Sequence, residues 1–429
     1  YKDNYWLVPN ERQNWHYTAW YDNPYIMAYE KLKGIEQNKM NANFSINYKL
    51  FEGAKLLIRP GFDLYTNTDE RRNPPNILSN RGWDAAGMYS FAKATGWSFN
   101  GDALLMYNKS FGDFGLDLLG GGTIYTWVDD NLSSSTRGGI TIPGWYSLNN
   151  SVERANVSTS ISRKQVNSLL GKASFSYLNA VFLDVTGRND WSSTMPRYSR
   201  SYFYPSVGGS LVLSEFIDMP RAVDFLKLRG SWTVSKSDLG VYATNQTYST
   251  TLAGWLPYNS AAYPTTIRDG IVNAQTNRTW ETGFSAYFLK KRFKFDAAYF
   301  NKFFYNTQTS APISASSGFT STLINTEQTT VRKGLELTLE ATAVKKEDFN
   351  WDVIANWSNY QTYYKDLDPV YSADNAWTKS GKRTDVYTDR MWLRDNNGNL
   401  IHNTNGLPVA STYSYVCLLY TSDAADEED

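Results

Sequence analysis

A strict alternation of apolar and polar residues recurs along this chain and constrains its fold more than any other feature. In the segment 334–342, Leu335, Leu337 and Leu339 alternate with glutamate and threonine. Because successive side chains of a β-strand point to opposite faces, this segment is expected to form a strand with one apolar and one polar face. The spacing typical of an amphipathic helix is not sustained over a comparable length. The pattern therefore predicts an all-β protein.

About twelve strands are predicted, and the connections between them alternate in length. The strands lie near residues 42–51, 54–66, 96–108, 112–124, 167–178, 180–190, 203–215, 224–236, 278–289, 292–306, 332–344 and 348–361. Short turns are predicted at 52–53, 109–111, 179, 216–223, 290–291 and 345–347. Long polar loops are predicted near 67–95, 125–166, 191–202, 237–277 and 307–331. Short turns at one end and long loops at the other are typical of an outer-membrane barrel.

The predicted fold is therefore an antiparallel up-and-down transmembrane β-barrel. Its strands reach the roughly 9–11 residues that a tilted strand needs to span a bilayer. A soluble sandwich would have shorter strands and no reason to segregate its loops by length. In a barrel the apolar face contacts outer-membrane lipid and the polar face lines the lumen. Five charged residues are accordingly expected to point inward, namely Arg188, Lys227, Arg229, Glu336 and Glu340.

Aromatic residues support the membrane interpretation. The chain has 15 Trp, 31 Tyr and 21 Phe, and many of them lie near the ends of predicted strands. Indole and phenol rings favour the membrane–water interface, where one end is apolar and the other hydrated. A buried aromatic core in a soluble β-protein is the alternative. The position of the rings at strand ends favours an aromatic girdle over such a core.

Composition excludes several classes of function. The 42 Lys and Arg balance the 42 Asp and Glu, so nothing in the charge favours a nucleic-acid partner. No apolar run approaches the ~18 residues of a membrane-spanning helix. With two histidines and one cysteine, the chain has little material for a zinc cluster or a catalytic triad. We therefore expect neither an enzyme nor a bound metal or cofactor.

Two phrases of sequence carry a family resemblance. The segment 186–196, Thr-Gly-Arg-Asn-Asp-Trp-Ser-Ser-Thr-Met-Pro, is followed by Tyr-Phe-Tyr-Pro-Ser-Val at 202–207. Together they resemble the SusC/RagA family of TonB-dependent outer-membrane transporters from Bacteroidetes-type bacteria. The signature positions are Arg188, Asn189, Asp190, Trp191, Tyr204 and Pro205. The resemblance covers roughly residues 20–410.

The resemblance implies a barrel of about 22 strands closed by an N-terminal plug. It also implies a SusD-like surface lipoprotein, a TonB box that contacts the TonB–ExbB–ExbD complex, and import of oligosaccharides or peptides. Plug and TonB box are not found in the sequence, so we expect residues 1–415 to be a partial barrel domain. Residues 416–429 carry the only cysteine and an acidic end. They resemble translated sequencing adapter and are expected to be a non-native tail, the alternative being a genuine acidic tail.

Substrate contacts are expected from aromatic residues in the long loops. Flat rings suit stacking on sugars, and the candidates are Trp83, Trp127, Trp145 and Trp255, with Trp377, Tyr125, Tyr146, Tyr258 and Tyr263 as further loop aromatics. The alternative is that these rings pack on one another or on the lipoprotein. The sequence does not choose between glycan and peptide.

Two other functions remain open at this point. A TonB-dependent siderophore or cobalamin receptor would share the barrel and lack the lipoprotein. A secreted all-β carbohydrate-binding protein or glycoside hydrolase would use the same aromatics on a soluble scaffold. Such a protein would not tolerate Leu335, Leu337 and Leu339 repeated around an uncovered ring, which favours the membrane protein.

Overall fold

The computed structural model describes residues 4–14, 21–79, 82–255, 258–268, 271–372, 378–389, 392–395, 398–410 and 414–417. The chain divides into two compact units. Unit 1 comprises Tyr1–Tyr48, Leu56–Leu104 and Gly122–Asn167, and unit 2 comprises Lys49–Lys55, Leu105–Gly121 and Ser168–Asp429. Of the expected tail 416–429, residues 418–429 lie outside the described part of the chain.

A single antiparallel sheet of 13 strands dominates the structure and confirms the all-β prediction. Its strands, in chain order, are β1 (Leu32–Asn43), β2 (Ile46–Phe51), β3 (Ala54–Asn73), β4 (Met88–Phe111), β5 (Phe114–Ile140), β6 (Ser151–Tyr177), β7 (Val181–Ser192), β8 (Ser201–Val212), β9 (Val223–Ser237), β10 (Gln275–Phe288), β11 (Phe293–Tyr305), β12 (Thr329–Lys345) and β13 (Asn350–Asp366).

Strand order follows chain order throughout the sheet. Each strand from β3 to β13 pairs with the next one, and β1 and β2 both pair with β3. The described edge strands do not pair with each other, so the sheet is not closed into a barrel. The predicted meander and the alternation of short turns with long connections are thus confirmed. The strand predicted at 42–51 is corrected, since it is two strands separated at Phe44 and Ser45.

The strands extend well into two segments that were predicted to be loops. Strand β3 continues to Asn73 and β4 begins at Met88, while β5 and β6 occupy most of 125–166. These extensions are rich in Ser, Thr, Asn and Asp, so they lack the alternation of apolar and polar residues that reveals a strand with one buried face. The backbone hydrogen bonds between strands continue there although the sequence does not alternate, so the loop prediction was wrong for these residues.

The remaining elements are short. Two-residue to seven-residue strands lie at Trp6–Val8, Arg12–Gln13, Ile77–Ser79, Gly82–Asp84, Ser249–Trp255, Tyr258–Ala262, Thr266–Ile267, Gln308–Pro312, Ser321–Asn325, Val386–Asp389 and Ser414–Cys417. Three 3₁₀ turns lie at Leu148–Asn150, Leu213–Glu215 and Ala315–Ser317. The helix α1 (Pro24–Tyr29) begins where the Asn23 side chain accepts a hydrogen bond from the Tyr25 amide, and Pro24 occupies its first turn. Among the described residues, no helix has the length and apolarity needed to cross a membrane.

The core of unit 1 joins distant parts of its sequence. Trp6, Ile26 and Ile77 are buried together. Beside them the buried Asp22 accepts hydrogen bonds from Gln13 (2.8 Å) and from the Leu78 amide (2.7 Å) and pairs with a lysine at 3.2 Å. Since a buried carboxylate is costly unless it is paired, these contacts fix how three separate segments meet.

The sheet in unit 2 has one apolar and one polar face, as the alternation predicts. The register places Arg229 opposite Gly283, Gly283 opposite Ala298 and Ala298 opposite Glu336. Directly opposed residues point to the same side of an antiparallel sheet. The polar face therefore carries all five charged residues predicted to share it, and the other face exposes apolar side chains such as Leu335 and Leu339.

Candidate functional site

Opposite charges pair along the polar face of unit 2, within one strand, between neighbouring strands or across one intervening strand. Four pairs have nitrogen–oxygen distances between 2.7 and 3.2 Å: Lys172–Asp184, Arg188–Asp190, Arg229–Asp296 and Lys294–Glu340. Most of these side chains are one-third to one-half exposed. At such exposure a pair such as Lys172–Asp184 or Arg229–Asp296 adds at most about 1 kcal/mol to stability. Their main consequence is that the polar face presents paired rather than isolated charges.

Arg229 is the most connected residue of this face. Its guanidinium donates two hydrogen bonds of 2.8 Å to the two oxygens of Asp296 and one of 3.1 Å to Ser285 Oγ. Glu281 Oε1 lies 3.9 Å from Arg229 Nε. The side chain lies over Gly283, where a Cβ atom would be 3.1 Å from the Arg229 Cζ. Glycine at position 283 thus makes room for a bidentate ion pair.

The signature phrase divides between the two faces of the sheet. On the polar face, Arg188 Nε donates to Asp190 (2.7 Å), its Nη2 donates to Ser168 Oγ (2.9 Å), and the Tyr204 hydroxyl donates to Asp190 (2.7 Å). Asp190 is buried, so these bonds satisfy a carboxylate that is largely shielded from water. The alternating positions Asn189, Trp191 and Pro205 belong to the opposite face.

Directly beyond the signature, the long connections of unit 2 pack into a core of their own. Met195, Tyr202, Leu239, Val272 and Leu323 come from three connections and strand β8 and are buried together with Ala274. The Ser199 hydroxyl donates to the Val272 carbonyl at 2.6 Å, and the Ser192 hydroxyl donates to Asp238. The connections are therefore held by specific contacts at this end of the sheet, and no sequence periodicity indicated them.

Asp368, just after β13, joins the connection between β11 and β12 to the segment that follows β13. Its carboxylate accepts hydrogen bonds from Thr326 Oγ1 (3.0 Å), from the Glu327 amide (2.9 Å) and from the amides of Val370 and Tyr371. Burial opposes the charged form, but these hydrogen bonds outweigh it and hold the pKa of Asp368 below its ordinary value. The charged carboxylate is therefore the form that binds the two segments together.

This pKa shift predicts an acid-sensitive connection. Because the pKa of Asp368 is lower in the folded protein, its stabilisation is complete above the unfolded value of about 3.9 and is lost as the pH falls through the folded value. We expect limited proteolysis at residues 326–328 to be absent at pH 7 and pH 5 and to appear below about pH 4. In Asp368→Asn the same cleavage should occur at pH 7. Equal resistance of Asp368→Asn and of the exposed control Asp366→Asn at pH 7 would contradict this role.

The predicted substrate aromatics do not form one cluster. Trp145 lies in the connection 141–150 and is 49% exposed. Trp127 was predicted to be in a loop but lies within strand β5, as does Tyr125, because the ladder extends further than the alternation shows. Trp83 and Trp255 have their backbones in short strands, and their side chains lie outside the described part of the structure, as does all of residue 377.

The structure adds polar partners around Trp127 that the sequence did not indicate. In unit 1, the Tyr65 hydroxyl donates to Asp129 at 2.5 Å, and Trp127 lies two residues before Asp129 on the same face of β5. The Tyr65 ring covers Gly96, where a Cβ atom would collide with it. Trp127 is half-buried and shares a face of the sheet with this hydrogen-bonded pair. The partners come from strands β3 and β5, 64 residues apart in sequence for Tyr65 and Asp129, which is why no local pattern could reveal them.

Metal binding has no support among the described residues, which include no group of three or more His, Cys, Asp or Glu suited to a metal ion.

Comparisons with known proteins agree on the fold. The family described as "TonB dependent receptor-like, beta-barrel" matches residues 2–421. TonB-dependent receptor P3 of Formosa agariphila is 22% identical over 79% of this chain and 34% of its own length. TonB-dependent receptor P26 of the same organism is 26% identical over 78% of this chain and again 34% of its own length. The chain thus spans about a third of the length of these curated relatives.

Among solved structures, the chain is similar to the RagAB peptide transporter, with a TM-score of 0.75 and 17% identity over 92% of this chain and 45% of that one. It is less similar to the siderophore receptor PiuA from Acinetobacter baumannii, with a TM-score of 0.52 and 15% identity over 82% of this chain and 49% of that one. At such identities these likenesses concern the fold alone.

The sheet order, the two-faced strands and the family match lead to one assignment. The family consists of outer-membrane receptors and transporters, which confirms the predicted location and the expectation that the chain is not an enzyme. The resemblance to SusC/RagA transporters is likewise confirmed. The chain belongs to the TonB dependent receptor-like, beta-barrel family.

Proposed function

We propose that this chain forms part of the barrel of a SusC-like importer, which takes up nutrient oligomers, either oligosaccharides or peptides, across the outer membrane. The observation that carries the proposal is the polar face of unit 2, where four cations are each paired with an anion of the same face. A wall of paired charges exerts little net field on a passing solute. It offers many hydrogen-bonding groups and suits a large, polar, largely uncharged passenger.

The aromatic residues supply the proposed contacts to that passenger. Trp145 is exposed in a long connection, and Trp127 lies beside Tyr65 and Asp129 on the wall of unit 1. Such a combination of rings, hydroxyl and carboxylate can bind the apolar face and the hydroxyl groups of a sugar, or the side chains and amides of a peptide. Trp83 and Trp255 remain proposed contacts as well.

Two partners belong to this proposal. A SusD-like surface lipoprotein would cover the long connections, and the TonB–ExbB–ExbD complex would energise import through a TonB box. The likeness in fold to the RagAB peptide transporter supports the first partner, and the family assignment supports the second.

The second candidate is a TonB-dependent siderophore or cobalamin receptor. The likeness to PiuA supports it, but the fold match is weaker than the match to RagAB, with TM-scores of 0.52 and 0.75. The family assignment argues against the soluble carbohydrate-binding protein or hydrolase, because the members of this family are outer-membrane proteins.

Uptake by a full-length receptor carrying this sequence tests the proposal. In a strain that lacks the native gene, the receptor should restore energy-dependent uptake of labelled oligosaccharides or peptides. Trp127→Ala and Trp145→Ala should each raise the half-saturating concentration about 3–10-fold, the effect of losing one aromatic contact. Trp357→Ala, an exposed tryptophan on the apolar face, should have no effect on uptake.

The two candidates give different results in this assay. If the receptor restores uptake of ferric siderophores or cobalamin but of no oligomer, the importer proposal is wrong and the second candidate holds. If oligomer uptake is restored and neither tryptophan variant changes it, the transport proposal stands and the two aromatic contacts are withdrawn.

A further inference from the structure

An apolar groove lies on the face of unit 2 opposite the charge pairs. Its volume is about 940 Å³, and it extends from Leu50, Phe51 and Ala54, beside the short turn between β2 and β3, across strands β4 to β8. Exposed apolar side chains form its walls, among them Leu105, Leu118, Val185 and Phe203. Lys172 and Asp184 form an ion pair and directly precede Ala173 and Val185 of the groove in β6 and β7. Because neighbouring residues of a strand point to opposite faces, the ion pair lies on the other face. The groove therefore opens toward lipid.

Small residues on adjacent strands create the depth of this groove. Gly120, Gly171, Ala173 and Gly187 form its floor. A Cβ atom on Gly171 would have its nearest neighbour, the Leu119 carbonyl oxygen, at 3.9 Å, so the space above it is open. The Phe203 ring lies beside Gly187, within 3.0 Å of where a Cβ atom would be. The lipid-facing side of the signature phrase thus shapes one wall of the groove.

One end of the groove lies at the level of the membrane interface. Aromatic pairs mark this level next to the short turns, with ring centroids 6.2 Å apart for Phe51–Tyr107 and 4.7 Å apart for Phe114–Tyr177. Lys109 follows Tyr107 on the same face of β4, and its Nζ lies 5.1 Å from the centroid of the Phe111 ring. A lysine on the lipid-facing side can extend to the headgroup layer and there meet an anionic group.

The length of the groove fits one leaflet. A strand rises about 3.3 Å per residue and tilts by about 40° in outer-membrane barrels, so each residue adds roughly 2.5 Å of depth. Gly187 lies six residues beyond Val181, the first residue of β7, and is therefore roughly 15 Å from that end. This is half of a hydrocarbon core of ~30 Å. Short turns face the periplasm in such barrels, so the leaflet is the periplasmic one.

We propose that this groove is a specific site for one phospholipid of the periplasmic leaflet, with an acyl chain along Gly120, Gly171, Ala173 and Gly187 and the phosphate beside Lys109. The apolar walls exclude water from the chain, and the cation is placed where the headgroup emerges. The site is separate from the polar face and from any transported substrate.

Lipid retention by the full-length receptor tests the site. The receptor is purified in a mild detergent, incubated with phosphatidylglycerol and examined by native mass spectrometry. The wild type should retain one phospholipid. Gly171→Leu fills the groove without meeting backbone and should bind the lipid at least about tenfold more weakly, the effect of displacing two methylene groups. Lys109→Gln should weaken retention about fivefold.

A matched control separates the groove from the general lipid surface. Gly230 lies on the same face in strand β9, outside the groove, and a Cβ atom there would have its nearest neighbour at 3.8 Å. Gly230→Leu should retain lipid like the wild type, and heat-modifiable migration on gels verifies that every variant is folded. Unchanged retention in Gly171→Leu, or equal loss in Gly230→Leu, would overturn the proposal. The proposal would also be overturned if the wild type is a dimer and Gly171→Leu converts it to a monomer without changing its bound lipid. The occupant of the groove would then be a second copy of the receptor.

Discussion

Replacing Asp190 by alanine is expected to lower the free energy of unfolding by about 2–3 kcal/mol. The Asp190 carboxylate is buried and accepts a charge-assisted hydrogen bond from Arg188 and a hydrogen bond from the Tyr204 hydroxyl, both at 2.7 Å. Its removal leaves the Arg188 guanidinium with only Ser168 as a partner among the contacts described above. The value would be measured by urea titration of the full-length receptor in lipid or detergent, followed by tryptophan fluorescence.

Two further variants show whether burial is the cause. Tyr204→Phe removes one hydrogen bond to the same carboxylate and should cost about 1 kcal/mol. Asp184→Ala breaks the pair with Lys172, whose side chains are 49% and 46% exposed, and should cost less than about 1 kcal/mol. If Asp184→Ala is as damaging as Asp190→Ala, the signature carboxylate has no special structural role.

Replacing Gly283 by valine should have an effect at least as large, about 3 kcal/mol or more. A Cβ atom at this position would lie 2.5 Å from the Ala297 carbonyl oxygen of the neighbouring strand. Backbone cannot rotate away as a side chain can, so strands β10 and β11 must separate and lose ladder hydrogen bonds. The same atom would lie 3.1 Å from the Arg229 Cζ, so the bidentate pair with Asp296 should be displaced as well.

Gly230→Val is the matched control for this substitution. Gly230 is in the adjacent strand β9, where a Cβ atom would lie 3.8 Å from the nearest backbone oxygen. Valine favours strands, so the change should lie within about 0.5 kcal/mol of the wild type. Similar destabilisation by both variants would show that glycine flexibility, and not the contact with Ala297, explains the result at Gly283.

The repeated strands could be predicted from sequence because the bilayer imposes a simple rule on them. One face must be apolar and the other polar, so Leu335 and Leu339 alternate with Glu336 and Glu340 at a period of two. The same rule fails at 125–140, where polar residues dominate and the strand is nevertheless continuous. Cross-strand backbone hydrogen bonds hold that extension, and they leave no trace in hydrophobicity.

Within the signature phrase, some features could likewise be predicted from the sequence and others could not. Its wording was enough to indicate the family, and alternation alone assigns Arg188 and Asp190 to one face and Asn189 to the other. That Asp190 is buried and shared by Arg188 and Tyr204 depends on the register between β7 and β8. Register is a property of the assembled sheet, so this network could not be predicted residue by residue.

Sequence by itself determined the fold class, the two-faced strands, the order of short and long connections and the family of this protein. All of these follow from local periodicity or from contiguous phrases, which a single strand already contains. Tertiary structure alone decided the partners of Arg229 and Tyr65, the core beneath the long connections and the groove between Leu105 and Phe203. Those features join residues from different strands, and their energies arise only when the strands are brought into register.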